Sequence, residues 1–227
     1  MFQCFSMLDI LENPEHDGFF KSFSVRKLAE REIVCNADTC ENSIFIVLSG
    51  ELRVYLSYEG REFTVFTLEP ESVFTTHSKM NVVARKPSEI LVTSIKNFQK
   101  ALIDIPELSR AIFASMGRGL DSTIRIIEGL VFLDVRQRLI YFLIELAEER
   151  GYKVQDGTSI ILDDNTEDIA TVIGSSRQST SQVLNELIKS GYILRVSRTQ
   201  IIIRDLVRFK ALVGGSEDLL QWPRPRR

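Results

Sequence analysis

The 227 residues carry 28 Lys+Arg against 31 Asp+Glu, a net charge of −3, with 44% hydrophobic and 26% charged residues. That balance suits a chain with real cores and room for one large domain or two modest ones, and it excludes a low-complexity or disordered protein. No apolar run approaches the roughly 20 residues that span a bilayer, the N-terminus lacks a basic region and small-residue cleavage site, and three cysteines fit a reducing compartment; a cytoplasmic protein with no membrane contact is expected.

Residues 1–22 read as an arm or short helix with turn chemistry at Asn13-Pro14 and Asp17-Gly18, and with His16 in a solvated turn. From Phe23 to Ile95 the β-branched and aromatic runs 43–49, 52–57, 62–68, 81–84 and 89–95 predict short strands broken at Gly50-Glu51, Glu59-Gly60 and Glu69-Pro70. Several strands at this spacing indicate an antiparallel β-roll, with residues 72–79 in a connection. A short helix is predicted over 96–102 and a long one over 106–133, which has no proline after its first residue. On the long helix Met116, Leu120, Thr123, Ile127 and Leu130 recur at spacings of four, three, four and three. That is a coiled-coil stripe about two heptads long, so this helix is expected to join two domains and to pair two chains into a homodimer.

The long helix should break at Leu133-Asp134, where Asp caps an amphipathic helix over 135–150 that ends at Gly151 as its C′ residue. Asn165 or Thr166 then caps a helix over 167–173, Gly174 supplies a tight turn, and Ser175 or Ser176 caps a second helix to about residue 189. Residues 191–195 and 199–204 make a hairpin, completing a winged helix-turn-helix and an α+β chain overall. The tail, 215–227, is proline-broken and basic and is expected to be disordered.

The charge is divided unevenly, net −5 over residues 1–135 and +2 over 136–227, with seven basic against two acidic residues between Gly174 and Lys210. A polyanion partner or a solvated charged face would each explain the excess. The first turn of the second helix, Ser176, Arg177 and Gln178, with Ser181 and Gln182 one turn on, is where such a motif reaches base edges in the major groove. Arg can bond guanine and Gln adenine bidentately there. The competing reading is a capped helix pair that binds protein; length, caps, turn glycine and wing together favour double-stranded DNA.

A β-roll, a long helix and a winged helix in this order resemble the CRP/FNR family of dimeric transcription regulators over nearly the whole chain. Val131-Phe-Leu-Asp-Val135 with Gln137-Arg138 is similar to that family's hinge, and Ile173-Gly-Ser-Ser-Arg-Gln178 to its recognition turn. The resemblance implies a cyclic-nucleotide-binding-like roll in residues 1–105, a dimerisation helix over 106–133 with a hinge at Phe132, Leu133 and Asp134, and a DNA-binding domain over 134–214. It also implies RNA polymerase as a further partner and a role as an activator, not an enzyme. Cyclic-nucleotide members hold the phosphate with a Gly-Glu pair and an Arg-Ser or Arg-Thr pair, whereas residues 68–84 offer Lys79 alone and no glycine. Iron-sulfur members need four thiolates, whereas Cys4, Cys35 and Cys40 are too few and too dispersed and read better as small buried or free thiols.

Glu51-Leu-Arg-Val-Tyr-Leu56, Phe74 with His77 three residues on, Ile95-Lys-Asn-Phe98 and Met116-Gly-Arg-Gly-Leu120 resemble the haem-containing, carbon-monoxide-sensing branch of that family. A lone histidine is more often packed or exposed than a ligand, so the role comes from the resemblance: His77 becomes the side-chain ligand of a haem b iron. The opposite ligand in that branch is an N-terminal amine from the other subunit, which CO displaces. Bulky Phe2, where the branch has a small residue or proline, keeps Met1 in place, and the Met1 amine, with a reference pKa of about 7.7–8.0, is the candidate. Thr75 stands where the branch has the cysteine that ligates ferric iron, so a thiolate-haem spectrum is not expected on oxidation. Met116, Gly117 and Leu120 would border haem and bound CO; Gly117 and Gly119 otherwise mark a close helix crossing at the dimer seam. The reading is a CO-responsive, haem-dependent activator that binds a two-fold symmetric DNA site. Its rivals are a regulator of the same family that senses a small organic effector without haem, and a haem enzyme or gas store, disfavoured for want of distal acid-base residues.

Overall fold

The computed structural model describes residues 7–38, 42–162, 165–197 and 199–214. The chain divides into two compact units between Thr123 and Ile124. In the first, α1 (Met7–Glu12) and α2 (Asp17–Phe20) precede eight strands, β1 (Ser24–Leu28), β2 (Ile33–Cys35), β3 (Ser43–Ser49), β4 (Leu52–Tyr58), β5 (Arg61–Leu68), β6 (Val73–Thr75), β7 (Asn81–Ala84) and β8 (Ser88–Ser94). These form two antiparallel four-stranded sheets, ordered β1-β8-β3-β6 and β2-β7-β4-β5. Residues 72–79 are thus more than a connection, because β6 pairs with β3, setting Phe74 opposite Phe45 and Thr75 opposite Ile44.

The period-2 alternation of β3 decides how the sheets are covered. Phe45 and Val47 point into a core shared with Leu52, Val54, Leu68 and Val82 of the other sheet. Ile46 points the opposite way, into a second core with Met7 and Ile10 of α1, Phe98 and Ala101 of α3 (Ile95–Asp104), and Ile105 and Leu108. Ser94 caps α3 by accepting from the Asn97 amide. Ile105, held extended by the following proline, ends α3, and Pro106 begins α4 (Pro106–Phe132) with the fixed φ that suits a first helical position.

The second unit is built around α5 (Val135–Arg150), which the sequence predicts to be amphipathic; instead it is buried on nearly every side from Arg138 to Leu146 and Ala147. The extra burial comes from β9 (Tyr152–Val154) and β10 (Gly157–Ile161), unassigned in the sequence reading, which join the wing strands β11 (Ile193–Arg195) and β12 (Gln200–Ile203) in a sheet ordered β11-β12-β10-β9. Ile160, Ile201 and Ile203 from that sheet meet Phe142, Leu143 and Leu146 of α5 and Phe209 of α8 (Leu206–Lys210). Emptying one such site, Phe142→Ala for example, would cost about 3–5 kcal/mol. Gly151 ends α5 with φ −70°, not in the left-handed region. Its glycine is demanded by closeness, since a Cβ would lie 2.2 Å from the Ala147 carbonyl oxygen and 2.7 Å from a Thr158 methyl. Among the described residues no helix is long and apolar enough to cross a membrane.

Candidate functional site

His77 sits in a 3-10 turn, Thr76–Ser78, at the end of β6. Three contacts fix that turn. Thr75 caps it, its hydroxyl accepting from the His77 amide (3.2 Å). The buried Thr76 hydroxyl accepts from the Ser43 amide (3.0 Å) and donates to the Ser43 carbonyl (3.2 Å), tying the turn to β3. Phe74 stacks at 5.8 Å on Phe45 and edge-on at 5.7 Å on Phe66. Lys79, in the left-handed region at φ 56°, closes the turn. Thr75, the position of the missing cysteine, therefore has a structural task as the cap.

The His77 ring is itself fixed, with Nδ1 2.5 Å from Oδ1 of Asn42, the residue just before β3. An amide oxygen only accepts, so Nδ1 is the donor, and in the neutral ring the lone pair is then on Nε2. The residue is exposed, which leaves that lone pair available to a ligand. Asn42 has no sequence signature, lying 35 positions before His77, and only the β3–β6 pairing brings the two together. His16 is not in a free solvated turn; it is half-buried, with Nδ1 2.9 Å from the Ile10 carbonyl.

The donor set constrains what His77 could hold. Among the described residues no three His, Cys, Asp or Glu side chains gather, and a bare transition-metal ion takes three or four protein donors. Among the described residues His77 offers one imidazole, a donor that would suit the iron of a haem. Met116 and Leu120 on α4 are each 63% exposed, and Phe113, one turn earlier on the same stripe and not singled out from the sequence, is 73% exposed. Gly117 and Gly119 have nothing within 4 Å of where a Cβ would lie. No packing among the described residues explains these glycines, and the space beside them is open. Met1, Cys4 and Cys40 lie outside the described residues, as does the tail 215–227; Cys35 is buried, its Sγ 3.8 Å from the Met80 carbonyl oxygen.

In the second unit the helix-turn-helix is α6 (Thr166–Val172) and α7 (Arg177–Lys189). Asn165 starts α6 with a reciprocal capping box to Asp168, and Gly174 makes the turn with φ 64°, a conformation glycine adopts freely. Ser176 caps α7, accepting from the Ser179 amide at 3.1 Å, with its hydroxyl also 2.9 Å from that of Ser179. Gln182 donates to Glu186 (3.1 Å), which Arg136 of α5 also reaches at 3.5 Å. Of the five predicted contact residues, Ser176 and Gln182 thus have their polar groups engaged within the unit, and Ser181 is half-buried. Arg177 and Gln178 are exposed with no side-chain hydrogen bond or ion pair among the described residues, at the electropositive first turn of the helix. At the hinge, Phe132 is exposed and Asp134 forms a capping box with Gln137.

A Cyclic nucleotide-binding domain model matches residues 25–104, and a Crp-like helix-turn-helix domain model matches 137–212. The chain is similar to a Global nitrogen regulator of Synechococcus elongatus, 31% identical over 160 residues, 66% of this chain and 72% of that one. Among solved structures it is similar to a doubly substituted CooA from Carboxydothermus hydrogenoformans, 35% identical over 94% of this chain and 98% of the other with a TM-score of 0.80. It is also similar to the reduced, Fe(II) CO-sensing protein from R. rubrum, 37% identical over 91% and 98% with a TM-score of 0.53. Both domains in this order, joined through one long helix, together with a curated regulator matched over more than two thirds of its length, lead to one conclusion: the chain belongs to the CRP/FNR family of transcription regulators.

Proposed function

We propose that this regulator is a homodimeric, haem-dependent activator that responds to carbon monoxide and binds a two-fold symmetric DNA site, with RNA polymerase as its further partner. The observation that carries the reading is the Asn42–His77 pair, in which a 2.5 Å hydrogen bond orients the ring through Nδ1, with no hydrogen bond to Nε2 among the described residues. Hydrogen bonding of this kind to the non-ligating nitrogen is how metal-bound imidazoles are held. The 35–37% identity to CO-sensing proteins over more than nine-tenths of the chain supports the same reading.

When bound, haem b would supply a ferrous iron able to take CO. His77 would hold the group from one side through Nε2. Met1 of the partner subunit is the candidate for the other side, on the family resemblance alone. Met116 and Leu120 would give an apolar wall, and Gly117 would let the α4 backbone approach. Arg177 and Gln178 would read bases from the first turn of α7, with the half-sites about one helical turn apart. Switching requires CO to bind the two dimer states with different affinity.

The relatives named for nitrogen regulation and for cAMP activation favour a second reading, a small organic effector in the roll with no haem. One measurement separates the two: the absorption spectrum of the reduced protein, purified from haem-replete cells, before and after CO. A haem band that shifts with CO, and that His77→Ala removes while the fold survives, is expected. Protein that carries no haem, or a CO response that persists in His77→Ala, would overturn the proposal.

A further inference from the structure

Arg138 is an arginine in the wrong place for an ordinary ion pair. It is only 7% exposed, inside the second unit, and its guanidinium makes three hydrogen bonds to backbone carbonyls and, among the described residues, none to a carboxylate. Nε donates to Ile173 at 2.7 Å, one terminal nitrogen to Gly174 at 3.2 Å and the other to Leu133 at 2.7 Å. Burial pushes its pKa down from the usual arginine value, and the charge of Asp134 pushes back. Burying a cation this way costs more than burying an apolar side chain of the same volume, so the arrangement needs a return that packing alone does not give.

The three carbonyls say what the return is. Leu133 is the residue on which α4 ends, its amide donating to Gly129. Ile173 is the C-cap of α6, and Gly174 is the left-handed residue of the turn. Carbonyls at helix C-termini lack amide partners and carry partial negative charge, which a cation satisfies. One rigid, planar fork therefore holds the end of the linking helix and the turn that launches α7 at a fixed separation. Asp134 and Gln137 lock the next turn with their capping box, so the hinge backbone around the fork is also restrained.

We propose that Arg138 is the positioning residue that fixes the recognition turn to the hinge, so that a movement of the Leu133 end of α4 is delivered to Arg177 and Gln178 instead of being absorbed between them. Arginine is required over lysine because an ammonium is a point charge and cannot span three carbonyls in one plane. The inference rests on α7 being the DNA-reading helix and not on the identity of the effector.

The test uses the full-length protein and a DNA site enriched by the wild type from a random duplex pool, in the reduced state under CO and without it. Arg138→Met and Arg138→Lys are compared for fold by circular dichroism, for affinity to the enriched site, and for affinity to scrambled duplex. Both variants should keep native helix content, lose at least tenfold in affinity for the enriched site, and bind scrambled duplex within twofold of wild type. A purely structural role would lower both affinities together, and that result would overturn the proposal. So would a folded Arg138→Lys protein that keeps wild-type selectivity; if Arg138→Met does not fold, Arg138→Lys decides alone. Failure of the wild type to enrich any sequence in either state would overturn the proposed function on which the test rests, and this inference with it, whereas a failure confined to the variants would overturn this inference only.

Discussion

Asn42 orients the imidazole of His77, an exposed histidine on a surface turn, as the proposed ligand role requires. Removing it as Asn42→Ala leaves the 3-10 turn, held by Thr75 and Thr76, but frees the imidazole to rotate and to change tautomer. Loss of such a partner typically costs 10–100-fold in metal affinity, so haem transfer to an acceptor protein should be about that much easier from the variant, and unchanged transfer would count against His77 as the ligand. A second residue has a pH signature. Tyr141 is buried on α5, its hydroxyl donating to the Val213 carbonyl at 3.4 Å, and burial raises its pKa. A raised phenol pKa contributes stability that is complete below the unfolded value of about 10 and is lost as pH climbs through the folded value. Tyr141→Phe should therefore move the alkaline unfolding midpoint of the protein upward, at a cost of about 1 kcal/mol at neutral pH. His77 was legible in the sequence only through family resemblance, and Asn42 not at all, because a residue 35 positions away is made a neighbour by sheet register and by nothing local.

The elements were far more legible, and the reasons are local. Caps and turn glycines act within four residues, so Asp134 and Gly174 mark helix ends in the sequence as they do in the structure, and of the paired candidates Asn165 or Thr166 and Ser175 or Ser176 the structure takes Asn165 and Ser176. Where tertiary burial decides, local reading fails. The pair β9–β10 converts α5 from an amphipathic helix into a central one, and Gly151 is explained by the carbonyl of Ala147 beside it. The recognition helix is the element on which sequence and structure combine best. Its cap engages the Ser176 hydroxyl, and Glu186 takes the Gln182 amide, leaving Arg177 and Gln178 as the exposed side chains of the first turn with no hydrogen bond or ion pair among the described residues. Arg177→Ala should lose about 1–3 kcal/mol against the preferred site and relax selectivity at one base pair, read by binding to a panel of single-base variants. An affinity loss spread evenly over all duplexes would instead mark Arg177 as a phosphate contact.

At the scale of the whole molecule, the exposed side of α4 is the feature a single chain leaves unsatisfied. Phe113, Met116, Leu120, Ile127 and Leu130 stand in water along one stripe, Ile127 at 54% exposure, although each would gain about 1.5–3 kcal/mol by full burial. The spacing of four and three along that stripe is what a second copy of the same helix would cover, since a two-fold axis pairs each residue with its own counterpart or near neighbour. A charge placed on the stripe must then be buried unpaired or force the chains apart. Ile127→Glu, on the part of the stripe beyond the glycines, should convert the protein to monomer in sedimentation at micromolar concentration while leaving its helix content intact. Because a two-fold DNA site is held by two linked readers, the effective-concentration advantage disappears with the pairing, and affinity should fall by about 10²–10⁴ even though α7 is untouched. Leu120→Glu should also break the pairing, but it sits beside Gly117 and Gly119, where the same helix is proposed to face the haem, so it should disturb the absorption spectrum as well. If Ile127→Glu alters the spectrum as much as Leu120→Glu does, the division of α4 into a haem-facing half and a pairing half is wrong.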